Sequence, residues 1–101
     1  MSYKYKIEIA EFGCSTVSYK SGGRSLAELG ITLVPGIRHI AFTNVGDNTI
    51  YVGLDTADGN SYRLVPFTGM TLRIRANMAS RLRFYCGLIQ SSVMNIQQEG
   101  D

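Results

Sequence analysis

His39 is the single histidine of the chain, and Cys14 and Cys86 are its only cysteines. Nucleophilic catalysis asks for a Ser, Cys or Thr beside a base that a third group orients. His39 lies instead in an alternating stretch, Ile37-Arg-His-Ile-Ala-Phe42, which predicts a structural or solvent-facing strand residue without a catalytic role. One histidine and two distant cysteines with no CxxC spacing do not supply the four ligands of a zinc site. Asp55, Asp58, Asn60 and Ser61 look loosely like a calcium loop. The ligand spacing is wrong and no glutamate closes the loop, so a solvated turn is expected. Gly13, Gly22 and Gly23 lack the lysine and helix that follow a phosphate-binding loop. Glu8 and Glu11 fall on opposite faces of one strand, so they form no acid–base pair. The expectation is a chain that is not an enzyme and uses neither cofactor nor metal.

The arginines offer binding chemistry instead. Lys4, Lys6 and Lys20 are the lysines, all in the first fifth; every arginine comes later. Met70–Arg75 and Arg81–Cys86 both alternate. Paired as a hairpin, they would set Arg73, Arg75, Arg81 and Arg83 on one outer face beside Tyr85, with Arg38 and Arg63 extending it. A guanidinium fork pairs bidentately with carboxylates. Its partners would be Glu8, Asp47, Asp55 or Asp58 of the same chain, or an acidic surface on another protein. Nucleic acid is disfavoured: the net charge is only +2, and Tyr85 is the one good stacking side chain on that face.

The elements that must position these residues are short strands. Tyr3, Tyr5, Ile7 and Ile9 share one face of an N-terminal strand over 1–12, a candidate subunit contact. Gly13 is expected to interrupt it, with a second short strand over 15–19. Arg24–Gly30 has mild helical character, with Ser25 as cap, Glu28 in capping-box relation and Gly30 as terminator. Pro35-Gly36 marks a turn. Ile37–Leu54 reads as two strands around a tight Gly46-Asp-Asn48 turn. Tyr62–Val65 is a strand that ends at Pro66, and Leu64-Val65-Pro66 echoes Leu33-Val34-Pro35. Leu82, Phe84, Cys86 and Leu88 are expected inward, Val93–Gln97 forms a last strand, and 98–101 is a frayed tail.

Length and composition agree with this reading. The chain has 101 residues, 45% hydrophobic and 18% charged, which suits one globular domain able to bury a core. The fold predicted is all-β: an antiparallel sandwich or jelly-roll-like barrel of about seven or eight short strands, with at most one short helical turn. The N-terminus shows no signal-peptide pattern and no run approaches the ~18 apolar residues of a membrane span, so synthesis in a cytoplasm and no membrane contact are expected. The cysteines are expected reduced and partly buried; a bridge between them or between subunits is the alternative.

Thr43-Asn-Val-Gly-Asp-Asn-Thr-Ile-Tyr-Val-Gly53 resembles a segment of small β-rich virion proteins of tailed bacteriophages. In that group a strand ending in Thr-Asn leads through a Gly- or Ser-containing turn to a Val/Ile-Tyr-Val-Gly strand. An aromatic residue, a Leu and a Pro-Gly turn into another strand follow. Tyr62, Leu64, Pro66 and Met70–Ile74 fit; Phe67 and Thr68 separate Pro66 from Gly69, a longer turn than the pattern. The resemblance covers 37–74, and 82–88 loosely. It implies a non-enzymatic virion protein in many symmetric copies. A capsid decoration (cement) protein comes first, and a neck, tail or fibre component second. The implied partners are the major capsid protein or other virion proteins, and further copies of the chain as a trimer or dimer. A carbohydrate- or host-surface-binding module using Tyr51, Tyr62 and Tyr85 is the alternative of another class, disfavoured by the absence of Trp.

Overall fold

The computed structural model describes residues 8–75 and 77–100, with side chains from Gly13 onward. Seven strands and one short helical turn follow one another: β1 (Glu8–Ser18), β2 (Ile37–Asn44), β3 (Ile50–Leu54), β4 (Tyr62–Leu64), β5 (Gly69–Arg73), α1 (Met78–Arg81), β6 (Leu82–Tyr85) and β7 (Ser91–Gly100). They build two antiparallel sheets, ordered β1-β7-β2-β5 and β4-β3-β6. The all-β sandwich is therefore as the alternation predicts.

Each sheet turns one apolar face inward. Val17, Ile40, Phe42, Met94 and Ile96 of the larger sheet meet Ile50, Val52, Leu64, Leu82, Phe84 and Cys86 of the smaller. Phe42 and Phe84 touch across the interface, with ring centroids 5.0 Å apart. Burying an aromatic ring of this size is worth roughly 2–3 kcal/mol, so this pair anchors the two layers.

After β1 the chain crosses to the smaller sheet, where Arg24 makes a one-residue bridge to Phe84. It then runs β2, β3, β4, β5, β6, β7, changing sheets at every step except β3 to β4. This is the path of an eight-stranded jelly roll whose second strand is reduced to the Arg24 bridge. Gly23 makes that bridge possible. Its φ is +87°, and a Cβ there would stand 3.0 Å from the Arg83 Cβ and 3.1 Å from the Ala57 Cβ.

The residues after the bridge cover the side of the core. Ser25 and Glu28 form the reciprocal capping box: Glu28 N donates to Ser25 Oγ (3.1 Å) and Ser25 N to Glu28 Oε1 (2.9 Å). Leu26 is buried beneath this turn, and Leu29, Ile31 and Leu33 pack beside it. The Pro35-Gly36 turn closes with Ile37 N on Val34 O.

Four expectations are corrected. Ile37–Leu54 is not a hairpin, because β2 and β3 lie in opposite sheets. Both strands have an apolar face, and stacking the faces removes more surface from water than pairing the edges. Met70–Arg75 and Arg81–Cys86 do not pair either: β5 bonds to β2 and β6 to β3, with α1 carrying the chain between layers. Gly13 does not break β1, which continues through it opposite Ile96. Gln98, Glu99 and Gly100 are not a tail but the end of β7, which lies between β1 and β2.

Candidate functional site

Four connections gather at one end of the sandwich: the chain leaving β1, the 45–49 link, the 65–68 turn and the 86–90 turn. Backbone bonds tie them together. Asn44 N donates to Thr68 O (2.9 Å), Phe67 N to Asn44 O (2.7 Å) and Val45 N to Val93 O (2.8 Å). Ser18, at the end of β1, pairs with Ser91 at the start of β7.

Asn44 is the keystone of this end. It is fully buried, and its amide is satisfied on every side. Nδ2 donates to Asn48 O and Leu64 O, both at 2.7 Å. Oδ1 accepts from Gly46 N (3.0 Å) and Ser92 Oγ (2.8 Å). Gly46 is required beneath it, since a Cβ there would lie 2.5 Å from Val93 N. The Thr-Asn-Val-Gly stretch is thus a corner between layers.

The tips of this end are apolar. Among the described residues, six of the eight large apolar side chains that stand exposed belong to it: Tyr19, Val45, Val65, Phe67, Leu88 and Ile89. Phe67 is 78% exposed, Leu88 67% and Ile89 94%. Leu88 was expected inward, but β6 ends at Tyr85 and Leu88 enters the following turn. Phe67 has φ +67° and Ile89 +63°. Each is the third residue of a turn: Thr68 N bonds Val65 O, and Gln90 N bonds Gly87 O. That position favours glycine, and a β-branched residue there is strained. Such conformations cost of order 1–3 kcal/mol and cluster at contact sites. Neither side chain is repaid by burial among the described residues.

Two sequence signals point here. The Leu-Val-Pro echo marks two turns of one kind, in which Gly36 (φ +85°) and Phe67 occupy the same position. Asn44 followed by Gly46 marks a corner as well as it marks a hairpin.

The arginines lie toward the opposite end. Arg73 closes β5, Arg81 ends α1 and Arg83 lies at the start of β6, so they come to one end although not to one face. Arg81 pairs with Asp55, Nη2 to Oδ2 at 2.8 Å with Nε bonded as well. This holds the exposed Asp55 carboxyl below its ordinary range and raises the Arg81 guanidinium. Arg83 donates to the carbonyls of Ser80 (2.8 Å) and Leu82 (2.9 Å). Arg73 and Arg75 are exposed and make no ion pair with a described residue. By register Arg73 stands opposite His39, and His39 opposite Glu99.

Tyr85 and Tyr51 face outward on the smaller sheet, ring centroids 5.8 Å apart and tilted by 53°, and Tyr19 meets Tyr85 edge-on at 5.7 Å. Tyr62 pairs opposite the buried Val52 and so takes the other face from Tyr51. The three tyrosines proposed as a sugar platform are not coplanar. Tyr3, Tyr5 and Ile7 lie outside the described residues. Ile9 sits in β1 opposite Glu99, just before a bulge.

Cys14 is exposed and Cys86 buried, both free. Burial pushes the Cys86 thiol up, and Sγ donates to Thr49 O. A groove of about 380 Å³ between the capped turn and α1 is lined by Leu26, Ile31, Leu33 and Ala79, with Arg83 at its edge. Among the described residues no group of three or more His, Cys, Asp or Glu gathers as metal ligands, and no helix is long and apolar enough to cross a membrane.

No family model matches this chain, and no curated protein or solved structure matches it.

Proposed function

We propose that this chain is a non-enzymatic structural protein of a tailed-phage virion, made in the host cytoplasm, and that it decorates the capsid. The observation that carries the contact role is the strained, exposed pair Phe67 and Ile89 at the loop end. Large apolar side chains held in water at positive φ are expensive alone and productive when a partner covers them. The head assignment rests on the 43–53 resemblance.

In this reading the loop end seats on the major capsid protein. Asp47 is the one exposed charge among residues 44–49, 65–69 and 86–91, and Lys20 on the chain leaving β1 is paired with Glu28, so that contact is largely apolar and little affected by salt. Arg73 and Arg75 at the other end remain available to an acidic neighbour. A shell that presents the receiving surface only when mature is stabilised by mass action as copies bind.

The test is quantitative mass spectrometry on purified particles of the source virus. Copies in the hundreds place the protein on the shell. About six to a few dozen place it in a neck, collar or tail, consistent with the smaller symmetric rings there. Absence from the particle overturns the virion reading.

A further inference from the structure

The sandwich has four sheet edges, and three of them are managed. Arg24 caps β6 with two bonds, Arg24 N to Phe84 O (2.7 Å) and Phe84 N to Arg24 O (2.8 Å). β4 has three residues and β5 five, too short to template much pairing. The fourth edge, β1, is different. It runs for eleven residues and, among the described residues, its backbone pairs only with β7. The Ser15 side chain, on the inner face, donates to Leu29 O (2.6 Å), a bond that uses no backbone group of the edge. The usual protections are Pro, Lys, a bulge or a covering loop. The run 11–18 has no Pro and no Lys, and the bulge falls at its start, between Ile9 and Glu11.

We infer that the free edge of β1 pairs antiparallel with β1 of a second copy, joining two four-stranded sheets into one of eight strands. The twofold axis passes at Cys14, beside the midpoint of the regular run 11–18, since an axis between two residues would set inward positions opposite outward ones. Glu11 then stands opposite Val17 of the partner subunit, Phe12 opposite Thr16, Gly13 opposite Ser15, and Cys14 opposite its own copy. A twofold antiparallel ladder is the arrangement in which one strand complements itself. The charges favour it too. The acidic residues of β1, Glu8 and Glu11, both lie in its first half, and the strand has no basic residue. Antiparallel pairing sends them to opposite ends of the ladder, whereas parallel pairing would set each carboxylate beside its copy. Gly13 and Ser15 keep the inner side of the joint small. This inference does not depend on the virion assignment.

The experiment joins sedimentation velocity on the full-length chain with amide hydrogen exchange. A dimer is expected, with alternate amides of 11–17 slow at high concentration and fast on dilution, while those facing β7 stay slow. Cys14 is exposed, so Cys14→Lys and Cys14→Glu are tolerated by the monomer. Each is expected to raise the dimer Kd at least tenfold, and mixing the two variants is expected to restore association. A chain that is monomeric at every concentration overturns the inference. So does a dimer whose alternate β1 amides stay fast. Protection of β1 only when another virion protein is added overturns self-pairing in favour of a donated foreign strand.

Discussion

The two ends of the sandwich solve the same problem with different chemistry. Both must carry the chain from one layer to the other without leaving buried backbone groups unpaired. At the loop end a buried amide does this: Asn44 gathers four partners from the 45–49 link, the end of β4 and the start of β7, and the tips beyond it are apolar and strained. At the other end the polar ties are split. Gln98 is buried and holds the Thr32–Val34 segment, accepting from Val34 N (2.9 Å) and donating to Thr32 O (2.9 Å). Asp55 and Arg81 form an exposed ion pair outside it. The loop end therefore combines a rigid base with surface that none of the described residues covers. The arginine end keeps its charges in water, where they stabilise little. An interaction surface of this kind needs both properties: tips that gain by being covered, and a base that does not yield.

The largest effect expected from breaking this contrast is at Asn44. Asn44→Ala would leave two carbonyls, an amide N–H and the Ser92 hydroxyl without their partner. A loss of about 3–5 kcal/mol is expected in urea denaturation. A cost under about 1 kcal/mol would mean that the corner is held by packing alone.

Next come the tips. Phe67→Gly and Ile89→Gly each relieve a positive φ, offset in part by the greater freedom of the unfolded chain. Stability is expected to hold or rise by up to about 1 kcal/mol, read as a higher Tm. Binding to particles should weaken at least tenfold. Glycine variants that are clearly less stable would show that the tips serve the fold rather than a partner.

The smallest effect concerns surface charge. Lys20, by its hydrogen bond and its charge, and the Ser25 bonds lower the Glu28 carboxyl from 4.5 to about 2. A carboxylate whose folded pKa lies below its unfolded one contributes stability above the unfolded value. That contribution is lost as pH falls from about 4.5 toward 2. Lys20→Met should flatten the Tm-against-pH curve in that window. The difference should shrink with added salt, because the pair is exposed. An unchanged curve would remove the Lys20–Glu28 pair from the stability of the capped turn.

Local patterns were legible wherever one residue type answers one local demand. The Ser25–Glu28 box, the Pro35-Gly36 turn and the inward faces of 37–42, 50–52 and 70–74 all follow from spacing alone, while Leu54, on the same face as Ile50 and Val52, stands exposed at the strand end. Gln98 was misread because a polar residue near a terminus ordinarily belongs to water; only the Thr32–Val34 backbone beside it makes burial favourable. Phe67 and Ile89 gave no composition signal, since an exposed apolar residue and a buried one have the same letter.

By itself, the sequence determined that this chain is all-β with its core on alternating positions. The period-two apolar pattern gives each strand one face to bury, and a sandwich or a closed barrel both answer that demand. Tertiary structure decided which strands pair, that β1 keeps an open edge, and that the apolar turns meet at one end. Those features depend on contacts between residues tens of positions apart. Alternation sets which way a side chain faces, but it holds no information about which strand lies next to it.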